Sequence, residues 1–259
     1  MRTAAVRNKP TLVHRRSSRP TFSLLLILSL CSAFPFCAKK SPSPILTQDQ
    51  IFEQRRIAMV RDQIEERGIS DSAVIGAMKR VPRHLFVPPE LKELAYVDQP
   101  LPIGLDQTIS QPYIVALMTE LLSPKKNQKI LEIGTGSGYQ AAVLAEIADS
   151  VWTIEILEPL AKSAEERLRK LGYGKVRVRC GDGYAGWPEH SPFDGIIVTA
   201  AAEQVPEPLI RQLNDGGKMV IPIGSAFSVQ NLILLEKHGN EISRRSVAPV
   251  RFVPLLRDK

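Results

Sequence analysis

The chain has 259 residues, 44% of them hydrophobic, enough for one sizeable α/β core with a small appendage at most. Its formal charge of +7 comes from one end: residues 1–40 carry eight basic side chains (Arg2, Arg7, Lys9, Arg15, Arg16, Arg19, Lys39 and Lys40) and no acidic one, leaving 26 basic against 27 acidic residues elsewhere. A nearly neutral body lacks the electrostatic footprint of a nucleic-acid partner, and the basic pI says nothing about the substrate.

The basic arm comes first in chain order. Arg15, Arg16 and Arg19 precede "FSLLLILSL", an apolar run too short to span a bilayer as a mature helix, and Cys31-Ser32-Ala33 offers a small-residue cleavage site. This fits a secretory signal, with Cys31 or Cys37 as a lipid acceptor; the long charged lead-in fits an upstream extension, or a misplaced start codon, instead. On both readings residues 1–45 stay outside the fold, and no stable membrane insertion of the body is expected. Beyond the arm only Cys180 remains, so a disulfide framework and a cysteine metal site are both excluded. His14, His84, His190 and His238 lack ligand spacing, and no metal is expected.

After "SPSP" (41–44), the segment "QDQIFEQRRIAMVRDQIEERG" places Ile51, Ile57, Val60 and Ile64 at helical spacing, with Gly68 as the stop. A second helix, "DSAVIGAMKR", is expected behind Ser70 as N-cap. Prolines at 82, 88 and 89 predict an extended connection through "VPRHLFVPPE". Residues 46–105 thus read as an N-terminal helical layer. His84 reads as a local structural contact. In "LDQTISQPY" (105–113), Ser110 stands before a helix expected over 111–122 with Pro112 in its first turn, and on pattern alone it is an N-cap.

From residue 128 the pattern alternates. "QKILEI", "SVWTIEI", "KVRVRC" and "FDGIIVTA" are short β-branched runs, while "SGYQAAVLAEIA" and "PLAKSAEERLRKLG" are helical by composition and period. The charge run "AEERLRK" reads as a solvated helix face. This order predicts an α/β fold with a doubly wound, mostly parallel, Rossmann-like sheet whose ligand sits at the carboxyl ends of the strands. Residues 106–215 form the expected cofactor-binding core. "GGKMVIPIG", "NLILLEK" and "VAPVRFVPL", within 216–259, extend the sheet with further strands.

The strand ends carry the chemistry. "LEIGTGSGY" sets Gly134, Thr135, Gly136 and Gly138 in a tight turn that lets a ligand approach the backbone. Tyr139 stands where a dinucleotide fingerprint needs a small residue, and the ending of a phosphate-binding P-loop is missing. Glu132, two residues before the first glycine, repels a pyrophosphate but suits an ammonium group. Glu155 ends the next strand, where a carboxylate can accept from both hydroxyls of a ribose. Asp182, followed by Gly183, ends the third and can accept from an adenine amino group; Thr199 ends the fourth. Any one of these acids alone reads as a solvated strand terminus. Together, an amino-acid end, a ribose and an adenine describe S-adenosyl-L-methionine.

Here the chain resembles a known family. "DQPLPIG" (98–104), "QTISQPYIVALMTELL" (107–122), "ILEIGTGSGYQ" (130–140), "GDGYAGWPEHSPFDGIIVTAA" (181–201) and "VRFVPL" (250–255) look like protein-L-isoaspartate O-methyltransferase, in order from about residue 54 onward. "TISQP" and "VRFVPL" lie outside the generic methyltransferase motifs. The resemblance implies methyl transfer from S-adenosyl-L-methionine to the free carboxylate of L-isoaspartyl residues in damaged proteins and peptides, which starts their repair, by a cytoplasmic monomer. It makes Ser110 the catalytic serine. It also puts Thr108, Ile109, Val250, Arg251 and Val253 with Ser110 against the substrate, residues 216–259 along its cleft. Thr108 and Gln111 add polar contacts there or merely order the loop.

The reaction explains the missing base. A carboxylic acid with a pKa near 4 is already an anion at neutral pH, so it needs alignment rather than deprotonation. A methyltransferase for another small acid or a nucleic-acid base, and a non-catalytic exported binding module on the same fold, are the alternatives.

Overall fold

Capping decides where the N-terminal layer starts. In the computed structural model, which describes residues 46–225 and 228–258, Thr47 and Gln50 form a reciprocal capping box for α1 (Gln48–Met59). Expectations about the arm fall outside the described residues. The helix runs on through a π turn at Val60–Ile64 and a 3₁₀ turn at Glu65–Arg67, and Gly68 ends it at φ 94°. The wider π turn shifts the helix face. The buried set is therefore Phe52, Met59, Val60 and Ile64, while Ile57 of the expected apolar stripe is 41% exposed.

Helix α2 (Ser72–Arg80) is capped by Asp71, not Ser70: the Asp71 carboxylate accepts from the amides of Ala73 and Val74. The Ser70 amide instead donates to Glu120. The proline-rich stretch that follows is compact rather than extended. It folds into 3₁₀ turns at Arg83–Leu85 and Pro89–Leu94, because proline's fixed φ also suits the first residue of a helical turn.

A hairpin, β1 (Leu101–Gly104) with β2 (Gln107–Ile109), leads into α3 (Pro112–Leu122). The main sheet follows: β3 (Lys129–Ile133), α4 (Tyr139–Ala145), β4 (Ser150–Glu155), α5 (Glu158–Lys170), β5 (Arg177–Cys180), β6 (Phe193–Val198), α6 (Glu207–Gln212), β7 (Leu213–Ile223), β8 (Gln230–His238) and β9 (Glu241–Val250). Its order is β5-β4-β3-β6-β7-β8-β9, parallel from β5 to β7 and antiparallel thereafter. The expected mostly parallel α/β sheet is present.

Alternation along the strands divides the core between the two faces. Ile130, Ile197 and Val220 pack with the N-terminal layer, α3 and α4; Leu131, Ile133, Ile196, Val198 and Met219 pack with Leu209 of α6. The chain winds one way from β3 to β5 and the other way from β6, so the β3–β6 neighbourhood is the switch point where such sheets open a crevice. Two of the expected internal divisions fall within elements: the hairpin spans 105/106 and β7 spans 215/216.

Candidate active site

The glycine loop after β3 is built by contact with the neighbouring strand ends. Gly134 has φ 95°, and a Cβ there would lie 2.5 Å from Thr199 Oγ1. That hydroxyl donates to the Gly134 carbonyl at 2.7 Å, which ties the loop to the end of β6. Glu155 fastens it from the other side. Its Oε2 accepts from the Gly136 amide at 2.8 Å and its Oε1 from the Leu157 amide at 3.0 Å. Each carboxylate oxygen has a further lone pair for a ligand hydroxyl.

These residues line a narrow slot, with Gly183 as a further wall and Val253–Leu256 closing it. Gly183 must be glycine, since an added Cβ would stand 2.4 Å from Ile133 Cγ2. Asp182 is placed differently from the adenine-binding expectation and does not itself line the slot. Its Oδ1 caps the turn that carries Gly183, accepting from the Tyr184 amide at 2.8 Å, and its Oδ2 pairs with Arg257 at 3.1 Å. Gly138 also stands back, as the N-cap of α4 against Leu168.

Glu132 is fully buried on β3. Its Oε2 accepts from the Thr153 hydroxyl at 2.6 Å, itself 2.6 Å from that of Thr135, while its Oε1 has no partner. Burial, reinforced by the Glu155 charge and partly offset by the Thr153 hydrogen bond, pushes its pKa up to about 8. An unpaired buried carboxylate oxygen is costly. Glu132 borders a small cavity lined also by Thr108, Ile109, Ser110, Thr135 and Thr199, and a cationic donor reaching that oxygen would relieve the cost. The donor set fits S-adenosyl-L-methionine: a buried acid for its ammonium and a strand-end carboxylate for its ribose.

Ser110 follows the hairpin and is not a helix cap. The N-cap of α3 is Gln111, with no side-chain capping bond. Pro112 supplies no amide to satisfy, and Asp98 accepts from the Tyr113 amide at 3.2 Å instead. No described residue hydrogen-bonds the Ser110 hydroxyl. Ser110 lines a cleft of about 470 Å³ together with Thr108, Val250, Arg251 and Val253. Thr108 and Thr199 line the slot, the small cavity and the cleft alike, so the three meet at these two threonines, and Ser110 borders the small cavity and the cleft. Ile109 reaches only the small cavity.

The C-terminal segment is held in place by its backbone. The Ala201 amide donates to the Val253 carbonyl and the Leu255 amide to the Ala201 carbonyl, both at 2.8 Å. Sequence reasoning missed Gln107, Ile156 and Leu256 as slot residues and Pro100 and Phe252 in the cleft; Pro100 and Phe252 lie inside stretches that carried the resemblance. His84 stacks on Phe52 at 4.1 Å and hydrogen-bonds Tyr96, a structural contact as expected. Among the described residues no cluster of His, Cys, Asp and Glu could hold a metal ion. No described helix is long and apolar enough to cross a membrane.

Residues 54–259 match the model of the family described as Protein-L-isoaspartate(D-aspartate) O-methyltransferase (PCMT). Protein-L-isoaspartate O-methyltransferase 2 of Polaromonas sp. is 57% identical over 201 residues, covering 76% of this chain and 95% of its own. Protein-L-isoaspartate O-methyltransferase 1 of Nitrosospira multiformis is 57% identical over 207 residues, covering 79% and 88%. A solved structure described as a protein-L-isoaspartate O-methyltransferase from Plasmodium falciparum in complex with S-adenosyl-L-homocysteine superimposes with a TM-score of 0.68 at 26% identity, covering 78% of this chain and 99% of that one. With its motifs, its sheet and these relatives in agreement, the chain belongs to the protein-L-isoaspartate O-methyltransferase family.

Proposed function

We infer that the chain transfers a methyl group from S-adenosyl-L-methionine to the free carboxylate of L-isoaspartyl residues in proteins and peptides, with Ser110 as the group that orients the acceptor. One observation carries the reading: a buried acid with a free oxygen and a serine with a free hydroxyl border the same small cavity, at the junction of a slot and an open cleft. The methyl donor supplies an electrophilic carbon on a sulfonium. With the donor held by Glu132 and Glu155, that carbon would be open to attack by an acceptor carboxylate oxygen as the carbon–sulfur bond gave its electrons to sulfur, and no residue would have to move a proton. The Ser110 hydroxyl donates to one acceptor oxygen and leaves the other in line with the methyl group. Glu132 holds the ammonium and Glu155 the ribose. Asp182 acts at one remove, through the turn bearing Gly183.

The slot is narrow, about 50 Å³, and Val253–Leu256 form one of its walls. The wall formed by Val253–Leu256 hangs on the two hydrogen bonds to Ala201 and on the Arg257–Asp182 pair. Val250, Arg251 and Val253 border the peptide's side of the site. We place the activity in the cytoplasm, where the methyl donor is made, and propose a monomer.

Calorimetric titration with S-adenosyl-L-methionine tests the reading. Glu155→Ala is expected to weaken binding by about 1–3 kcal/mol through loss of a buried, charge-assisted hydrogen-bond acceptor. Asp182→Ala, which acts indirectly, is expected to weaken it less. Native affinity in both variants would remove the cofactor from this slot.

A further inference from the structure

The strongest feature outside the cofactor and acceptor contacts is a charged network between the N-terminal layer and the serine. Arg83 has no exposed surface. Its Nε donates to the Ala95 carbonyl and its Nη2 to the Ser110 carbonyl, both at 2.8 Å, while Nη1 is buried without a partner. Its guanidinium lies 4.8 Å from the ring centre of Tyr139, at the start of α4 beside the glycine loop. On the other side of the serine, Asp98 accepts from the Gln111 side-chain amide at 2.6 Å and from the Tyr113 backbone amide at 3.2 Å. Arg67 pairs with Asp98 at 2.6 Å and covers the Tyr113 ring at 3.4 Å.

We propose that Arg83 and Asp98 are positioning residues for the methyl transfer, a two-sided clamp that holds the Ser110–Tyr113 backbone so that the serine hydroxyl stays aimed at the acceptor carboxylate. This rests on the role given to Ser110 above. The buried guanidinium serves two backbone carbonyls, with Nη1 making no hydrogen bond among the described residues. What the charge adds is direction. Arg83 fixes the orientation of the Ser110 carbonyl and Asp98 holds the Gln111 side chain and the Tyr113 amide, so the backbone that carries Ser110 is tied on both sides. A hydroxyl with no hydrogen bond among the described residues depends on that backbone for its aim. Alignment within fractions of an ångström is what a displacement reaction demands.

The test compares S110A, R83K, D98N and the two double variants, reading kcat on an isoaspartyl peptide and S-adenosyl-L-methionine affinity by calorimetry. R83K keeps the charge but loses the fork geometry, and D98N keeps the shape of a partly exposed side chain while losing its charge. Each single change is expected to lower kcat at least about tenfold while cofactor affinity stays within about twofold. In the S110A background the same changes are expected to cost less than about threefold, since an alanine has nothing left to aim. A merely structural role would lower the melting temperature and leave kcat per folded molecule unchanged. Should R83K fail to fold, D98N carries the same comparison. Native kcat in folded R83K or D98N overturns the clamp, as do losses that add in full on S110A. A slow S110A beside such additive losses leaves the serine's role intact and sinks the clamp alone, whereas a normal S110A sinks both.

Discussion

Replacing Ser110 with alanine is expected to slow methyl transfer to an isoaspartyl peptide at least about tenfold, or about 1.4 kcal/mol of barrier, while S-adenosyl-L-methionine affinity stays unchanged. Stability is expected to stay unchanged as well. A serine that capped α3 would lose about 1 kcal/mol on truncation, but the Ser110 hydroxyl makes no hydrogen bond among the described residues and Gln111 occupies the cap position. With the cofactor saturating, kcat is expected to show no limb near pH 6.5 of the kind a histidine base produces. His84 is not in a position to supply one: burial, with the nearby Arg56 and Lys92 charges, holds its pKa below the usual histidine value, and it is packed among Phe52 and Tyr96. Normal turnover in a folded Ser110→Ala enzyme would end the positioning role.

Cofactor binding is expected to release a proton from Glu132. With its pKa at about 8, mainly through burial, the carboxyl is largely protonated in the free protein at neutral pH. An ammonium arriving at its unpaired oxygen favours the ionised form. Affinity should therefore rise with pH, by up to about tenfold per unit between pH 6 and about 7, before titration of the ligand's own α-amino group begins to oppose it. Calorimetry in buffers of different ionisation enthalpy measures the released proton. In Glu132→Gln both the proton release and the pH dependence should vanish, with affinity at pH 7.5 at least about tenfold weaker, since a charge-assisted bond is lost. Native binding by Glu132→Gln, or no linked proton in the unsubstituted protein, would refute the contact.

The same shift bears on the stability of the free protein. A carboxyl whose folded pKa lies above its unfolded value of 4.5 binds more protons folded than unfolded between those limits. Its contribution to stability is whole below about pH 4.5 and lost as pH rises toward 8. Cofactor binding offsets that loss by pairing the ionised form.

The parts of the site that lie at strand ends were readable because a β–α repeat places them there whatever the packing. Gly134, Glu155 and Thr199 need only the order of strands in the chain to converge, and they do. Asp182 shows where that reasoning stops. A strand-end acid can serve its own turn or a distant arginine as well as a ligand, and the pairing with Arg257 across 75 residues is invisible to spacing. Helix register failed for a local reason, since one π turn at Val60–Ile64 is enough to move Ile57 to the surface. The role of Ser110 was ambiguous because caps and orienting serines share a pattern. Only Asp98, which sits in a proline-rich connection and accepts from the Tyr113 amide, shows that the helix start is satisfied by other means.

The most direct measurement gives the isolated protein labelled S-adenosyl-L-methionine and two peptides of identical sequence, one with an isoaspartyl linkage and one with a normal aspartyl linkage. Label is expected in the isoaspartyl peptide as a base-labile methyl ester, with little or none in its aspartyl counterpart. Equal labelling of both peptides, or none in either by protein that binds the cofactor, would contradict the assignment.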